Sequence, residues 1–248
     1  MRPLLRLGAL AALAALAGCA SLPEVPAKPG PFEPVTATAA PSDRGTDTEN
    51  DLSPYGFDVA ERISVRVRNL GCFSLSTGSG FAVDTTTLVT NRHVVEDSAE
   101  LGLSTYDGRD VGVRAASIAS LADLAVVRTD GELPEVPELA TKDPERGDTI
   151  TVVGYPQGGR LTVTSGRVIA RTTDPLNLNL GEVLVTDAAV EPGSSGSPAL
   201  DKRGRVVGVV YAMNAAGQSF IVPVSTVHEL LEDDAAFDEV EKSSLDCE

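Results

Sequence analysis

The stretch Glu191-Pro192-Gly193-Ser194-Ser195-Gly196-Ser197-Pro198-Ala199-Leu200 packs two glycines, two prolines and three serines into ten residues. Gly193 and Gly196 open backbone conformations closed to residues with a Cβ. Pro192 and Pro198 stiffen the flanks. Taken alone, such a run reads equally well as a surface turn. Its surroundings decide the matter. Val183-Leu184-Val185 precedes it and Arg205-Val206-Val207-Gly208-Val209-Val210-Tyr211 follows it, and both read as buried strands. A rigid glycine turn between core strands can hold a serine outward with backbone N–H groups beside it. Acyl transfer needs that combination of nucleophile and oxyanion donors.

A serine hydroxyl needs a base, and the chain has two histidines. His93 closes the apolar strand Thr87-Leu88-Val89-Thr90-Asn91-Arg92-His93. His228 falls in Val227-His228-Glu229-Leu230-Leu231, an amphipathic helical pattern, where packing is its expected role. The base needs an orienting carboxylate. Asp123 enters the apolar run Leu124-Ala125-Val126-Val127, and a carboxylate heading into a core is rare unless partnered.

The order His93, Asp123, Ser195 resembles the trypsin-like (chymotrypsin-fold) serine proteases, especially their bacterial Deg/Htr branch. Four motifs carry the resemblance: Thr77-Gly78-Ser79-Gly80-Phe81, Thr90-Asn91-Arg92-His93-Val94-Val95, Asp123-Leu124-Ala125-Val126-Val127 and Gly193-Ser194-Ser195-Gly196-Ser197-Pro198. Together they cover roughly residues 60 to 228. Two positions depart from the family. Ser197 stands where glycine is usual. Ser194 stands where zymogen-type members carry an aspartate, so no activation by a new N-terminus is expected.

The resemblance implies His93 as base, Asp123 as its orienting partner, Ser195 as nucleophile and the N–H groups of Gly193 and Ser195 as the oxyanion hole. Because His93 must be neutral to accept a proton, activity is expected to fall toward acid. By the same resemblance Ala189 floors the specificity pocket and Tyr211-Ala212-Met213 forms its wall. With no acid at the floor, a small or medium apolar residue is expected before the cut, although Asp187 lies near. No cofactor and no metal are implied, since paired His/Cys spacing is missing.

The fold expected is all-β: two six-stranded β-barrels with a C-terminal α-helix. Trp is absent and aromatics make up 4% of the chain, so the core must be mostly Val, Leu, Ala and Ile. Barrel one spans about 58–130. Ile63-Ser64-Val65-Arg66-Val67-Arg68 alternates with period two. Gly80–Val83 and Thr87–Thr90 form a hairpin through Asp84-Thr85-Thr86, and Asp107-Gly108 turns a second hairpin. Residues 130–147, rich in proline, glycine and charge, connect to barrel two at about 147–222. A helix at about 225–236 follows, with Ser225 as its N-cap. Residues 58–238 make up the protease domain. No PDZ-type domain is expected after residue 238.

The N-terminus carries an export signature. Arg2 and Arg6 precede the short apolar run Leu7–Ala17, which ends in Leu16-Ala17-Gly18-Cys19. This resembles a bacterial lipoprotein signal over residues 1–18. Cys19 would then become the acylated first residue, bearing palmitate-type chains that anchor the protein to the membrane outside the cytoplasm. An ordinary secretory signal is the alternative. Residues 19–57 hold seven prolines among Ala, Thr, Ser and Asp without apolar periodicity, the pattern of a disordered tether. Its reach lies between roughly 30 Å as a coil and about 100 Å as stiff polyproline.

The net charge of −16 argues against nucleic-acid partners. Nine acids against Lys242 give residues 229–248 a net of −8, and 239–248 read as an acidic tail. With Cys19 assigned to lipid, Cys72 and Cys247 remain, an even pair in an exported chain. Some actinobacterial membrane-anchored relatives in this family carry a similarly placed disulfide. The pair is therefore expected to bond and to dock the tail across the first barrel, free or intermolecular thiols being the alternative. Protein or peptide substrates in the cell envelope are the expected partners.

Three other functions fit these residues less well. A lipase or esterase would carry Gly-x-Ser-x-Gly in the order Ser, Asp, His. Position 197 is serine and the order here is reversed. A structural lipoprotein has no use for the glycine loop. A catalytically silent, protease-fold binding module on the cell surface keeps the fold but has no use for a complete set of His93, Asp123 and Ser195.

Overall fold

The computed structural model describes residues 58–71, 74–119, 122–233 and 236–239. All belong to one compact unit, Thr48–Glu248. The expected signal, tether, lipidation site Cys19 and the Cys72–Cys247 pair lie outside the described residues.

The chain enters on a helical turn, α1 (Val59–Arg62), with a capping box between Asp58 and Glu61. Strand β1 (Ser64–Leu70) alternates as expected, with Val65 and Val67 fully buried and Arg68 exposed. It pairs with β2 (Leu75–Asp84), which turns at Thr85-Thr86 into β3 (Thr87–Thr90). Then come α2 (Arg92–Val95), β4 (Glu100–Ser104), β5 (Asp110–Val111), β6 (Val113–Ala119) and β7 (Ala125–Thr129).

The first half differs from a closed six-stranded barrel. It is an eight-stranded sheet in the order β14-β6-β7-β3-β2-β1-β4-β5. Two causes are visible. Strands β5 and β6 are halves of one bent strand, interrupted at Gly112, whose carbonyl accepts from Asp130 N–H. The ladder therefore returns on itself through the chain rather than through a hydrogen-bonded seam. The extra strand is β14 (Phe237–Glu239), which leaves the C-terminal region and pairs antiparallel with β6, Phe237 facing Ala119.

The second half is a closed barrel in the order β10-β13-β12-β11-β8-β9. Its strands are β8 (Thr149–Gly154), β9 (Thr162–Thr173), β10 (Glu182–Thr186), β11 (Pro198–Leu200), β12 (Val206–Met213) and β13 (Ser219–Pro223). Six consecutive residues of β12, Val206–Tyr211, are buried, because one face fills this barrel and the other meets the first half. Three apolar clusters result, one inside each half and one between them. Fully burying each Val or Leu in them contributes about 1.5–3 kcal/mol.

Helix α3 runs Val224–Glu232, shorter than the expected 225–236. Ser225 is not its N-cap. Pro223 occupies that position and has no side chain to offer, so the cap comes from elsewhere. Asp143, in the connection between the halves, accepts from Ser225 N–H at 3.0 Å and from Ser225 Oγ at 2.9 Å. His228 packs as expected, its Nε2 donating to Ala140 O at 3.0 Å. Among the described residues no helix is long and apolar enough to cross a membrane.

Candidate active site

His93 does not end a strand. The chain leaves β3 at Thr90 and coils into α2, which carries His93 in its first turn. Three contacts fix the segment to Asp123, just before β7. Asn91 Nδ2 donates to Asp123 O at 2.8 Å, His93 N–H donates to Oδ1 at 3.1 Å, and His93 Nδ1 lies 2.7 Å from Oδ2. A carboxylate only accepts, so Nδ1 carries a proton in this contact, and in the neutral ring that leaves the lone pair on Nε2. The Asp123 side chain is 4% exposed and that of His93 is 41% exposed. The carboxylate is thus sealed behind a ring whose far edge meets solvent.

The glycine loop is built by the turns its sequence suggests. Gly193 and Gly196 take φ of +93° and +85°, the left-handed region. A Cβ on Gly196 would come within 1.9 Å of Ser79 O. Ser194 N–H donates to Glu191 O, Ser197 N–H to Ser194 O and Gly196 N–H to Val210 O. The N–H groups of Gly193 and Ser195 find no acceptor among the described residues. The three loop serines also part company here. Ser194 is buried and its hydroxyl accepts from Glu191 N–H. Ser197 is fully buried with no partner for its hydroxyl. Only Ser195 is half-exposed.

The loop is brought to α2 by the small-residue strand β2. Gly78 lies between them, its missing Cβ replaced by Val94 Cγ1 and Ser195 O at 2.5 and 3.1 Å. Ser79, fully buried, does most of the clamping. Its N–H donates to Ser195 O at 2.8 Å and its Oγ to Gly193 O at 3.0 Å. The same Oγ accepts from Tyr155 N–H at 2.9 Å, and Thr90 Oγ1 donates to Ser79 O at 2.6 Å. The 3₁₀ turn Pro156–Gly158 supports the loop from the other side. Gln157, at φ +55°, donates its N–H to Pro192 O at 2.6 Å, and its Nε2 donates to Glu191 Oε2 at 2.7 Å. A trans peptide points its C=O and N–H in opposite directions. Holding Pro192 O therefore aims Gly193 N–H away from the turn.

Of the expected pocket residues, Ala189 is exposed and Ala212 is half-buried. Tyr211 turns inward, 2% exposed, with its ring 6.3 Å from that of Phe220. Its Oη donates to Asp174 Oδ1 at 2.9 Å. Burial pushes the Tyr211 phenol far above its ordinary range, helped by the hydrogen bond and charge of Asp174 and the charge of Asp123. Burial likewise pushes Tyr155 up to about 12, against the opposing pull of Arg66 over its ring. A cleft of about 720 Å³ opens on the His93 side, shared by His93, Asp123, Tyr211 and the loop Leu176–Asn179.

Sequence reasoning missed Ser79, Gln157 and Asp174 as parts of this site. Ser79 had a signal, the run of small residues Thr77-Gly78-Ser79-Gly80 inside a strand, where close backbone approach is the usual cause. Gln157 and Asp174 had none, since their partners are 35 and 37 residues away along the chain.

Two β halves, a His–Asp pair from the first and a glycine-framed serine loop from the second define the chymotrypsin-type class of fold. Residues 78–209 match the family model of the trypsin-like peptidase domain, more than half of the chain. The chain belongs to that family. Its homologues are Deg/HtrA serine proteases. It is 33% identical over 180 residues to the serine protease Do-like HtrA of Bacillus subtilis, covering 65% of this chain and 40% of that protein. Over 147 residues it is 33% identical to a probable periplasmic DegP-like serine endoprotease of Chlamydia trachomatis, covering 58% of this chain and 30% of that one. The chain thus spans well under half the length of these curated relatives. Among solved structures, the active form of the Rv3671c protease from M. tuberculosis superposes with a TM-score of 0.65 at 26% identity, covering 74% of this chain and 85% of that one. A serine endoprotease from Yersinia pestis gives 0.62 at 26% identity, covering 76% and 67%.

Proposed function

We propose that this chain is a serine endopeptidase working outside the cytoplasm. The observation that carries the reading is the His93–Asp123 pair, 2.7 Å apart, on a segment packed across Gly78 from the serine loop in which the N–H groups of Gly193 and Ser195 have no acceptor among the described residues. Ser195 Oγ attacks a peptide carbonyl while His93 Nε2 takes its proton. The carbonyl oxygen, now anionic, is held by Gly193 N–H and Ser195 N–H. Asp123 holds the tautomer and stabilises the imidazolium. His93 returns the proton to the leaving amine, an acyl-enzyme remains on Ser195, and water attacking through His93 releases the acid. Ala189, Tyr211 and Ala212 line the pocket for an apolar residue before the cut.

The rest of the reading concerns place. Residues 1–18 are the export signal, Cys19 bears the lipid and 19–57 hold the domain, 58–238, away from the membrane. The tail, 239–248, is tied back by a Cys72–Cys247 disulfide. The periplasmic designation of DegP-like relatives supports export. One acyl chain binds membranes only marginally, so two or more are expected on Cys19.

Labelling with a fluorophosphonate probe tests the chemistry. Wild type and Ser194→Ala should label, and Ser195→Ala should not. Labelling retained in Ser195→Ala would overturn the assignment. Cys19→Ala should move the protein to the soluble fraction. A variant that stays membrane-bound with an uncleaved N-terminus would refute the lipid anchor.

A further inference from the structure

Helix α3 packs on β12 and β13 of the second half, and within a few residues the chain crosses to the first. A tight turn, with Ala236 N–H donating to Asp233 O at 2.9 Å, redirects it. β14 then pairs antiparallel with β6, Phe237 facing Ala119, Asp238 facing Ile118 and Glu239 facing Ser117. Residues directly opposite in such a pair hold their Cβ atoms about 4.5–5.5 Å apart, which puts Phe237 against Ala119. Phe237 is half-buried and packs, with Leu230 and Leu231 of α3, on the apolar cluster between the halves. That cluster contains Ala119, Ala122 and Leu124, which are 0%, 8% and 2% exposed.

These three residues bracket Asp123. Ala119 N–H donates to Leu124 O at 2.8 Å, closing the connection, 119–124, that carries the carboxylate. Beyond it, β7 is fixed by β3, with Thr90 opposite Ala125. Before it, the end of β6 has β7 on one side and β14 on the other. Without β14 the end of β6 becomes a sheet edge open to water, and backbone with few buried contacts is where local opening starts. Asp123 meets His93 with both carboxylate oxygens, at 3.1 Å to N–H and 2.7 Å to Nδ1. Hydrogen bonds weaken steeply with angle, so this two-point hold tolerates little motion of the connection.

We propose that Phe237 is a positioning residue: through β14 it clamps the connection 119–124 and so holds Asp123 on His93. The segment that follows α3 thereby takes part in the working geometry of the first half. The effect on rate rests on the endopeptidase reading above, whereas the state of the His93–Asp123 bond can be read without catalysis.

The test uses the full chain as wild type, Phe237→Ala and Phe237→Leu. Leu231→Ala, whose side chain packs on the same cluster from α3, is the comparison. Thermal melting shows that each folds; should Phe237→Ala not fold, Phe237→Val takes its place. Turnover of a quenched peptide, chosen from a library on wild type, is resolved into kcat and KM. The far-downfield proton resonance of His93 Nδ1–H reports its bond to Asp123. Phe237→Ala should lower kcat by about 10- to 100-fold, the scale of a slightly misplaced catalytic group. KM should change by less than about twofold, since the loss falls on the transition state. The resonance should broaden or vanish. Phe237→Leu keeps an apolar side chain and should recover most of kcat. Leu231→Ala should lower the melting temperature and leave kcat and the resonance unchanged. Wild-type kcat and an intact resonance in Phe237→Ala overturn the proposal, however far the melting temperature falls. An equal loss of kcat in Leu231→Ala does the same, because it marks general loosening. A wild type that neither cleaves nor labels with the fluorophosphonate probe brings down the endopeptidase reading; the resonance in Phe237→Ala against wild type then decides the clamp alone.

Discussion

Ser197, the departure from the family's glycine, sits against another glycine, and the pair gives a quantitative test of how the loop is packed. A Cβ on Gly154 would meet Ser197 Oγ at 1.9 Å and Ser79 Oγ at 2.8 Å, where ordinary contact begins at 3.4 Å. Gly154→Ala must therefore move the serine by about 1.5 Å, and overpacking of this kind costs about 1–3 kcal/mol or more. Ser197 cannot retreat cheaply, because it is fully buried and its N–H and C=O are tied to Ser194 O and Val210 N. Ser197→Ala goes the other way. It removes a buried hydroxyl with no partner, and relief of that desolvation is worth about 1 kcal/mol. It leaves its Cβ 3.0 Å from the Cβ added at position 154, so the clash softens without vanishing. The double-mutant cycle, read by urea unfolding, should show at least about 1 kcal/mol of favourable coupling. Gly154→Ala should also slow fluorophosphonate labelling, since Ser79 Oγ bonds both Tyr155 N–H and Gly193 O. Coupling below about 0.5 kcal/mol, or Ser197→Ala destabilising the fold, would refute this account.

Asp123→Asn should keep the fold yet lower kcat by about 10⁴-fold, because an amide no longer enforces the Nδ1–H tautomer; loss of less than tenfold would remove Asp123 from its proposed role. Tyr155 is protonated when folded up to about 12 but ionises at 10.0 when unfolded. Its raised folded pKa contributes stability that is fully present below pH 10 and lost as pH rises through 12, at most about 1.4 kcal/mol per pH unit. Tyr155→Phe should flatten the fall in melting temperature over that window, and an unchanged slope would count against it. Asp143→Ala removes the cap of α3 and should cost about 1–2 kcal/mol by urea unfolding, whereas Asp143→Asn keeps one acceptor and should recover part of it.

What the sequence made legible was whatever depends on short-range pattern. Val65 and Val67 alternate with polar neighbours, so β1 was readable, and the Asp107-Gly108 turn has its positive φ at Gly108. The His93–Asp123 association was readable because a carboxylate entering an apolar run needs a partner and few were available. The three-residue strands β11 and β14 were not, since three residues carry no period. Nor was the closure of the first half, which hangs on one bend at Gly112. The cap of α3 was misread because Ser225 is a good local cap, while the group that serves lies 82 residues upstream.

The distribution of these long-range contacts explains why neither half can make the site alone. The first half supplies His93, Asp123 and Ser79; the second supplies Gly193 and Ser195. Among the described residues, the second-half groups that hydrogen-bond Ser79 are all backbone: the carbonyls of Gly193 and Ser195 and the N–H of Tyr155. Ser64 adds a buried bond to Val153 O at 3.1 Å. Polar bonds in a dry interface tolerate little displacement, because a buried group left unpaired costs about 1–3 kcal/mol. The same bonds that hold the two halves together therefore set the direction of the free N–H groups beside Ser195. A sideways shift between the halves would open several of them at once. The loop geometry and the docking of the halves are consequently one cooperative unit, and a fully buried residue such as Ser79 governs both.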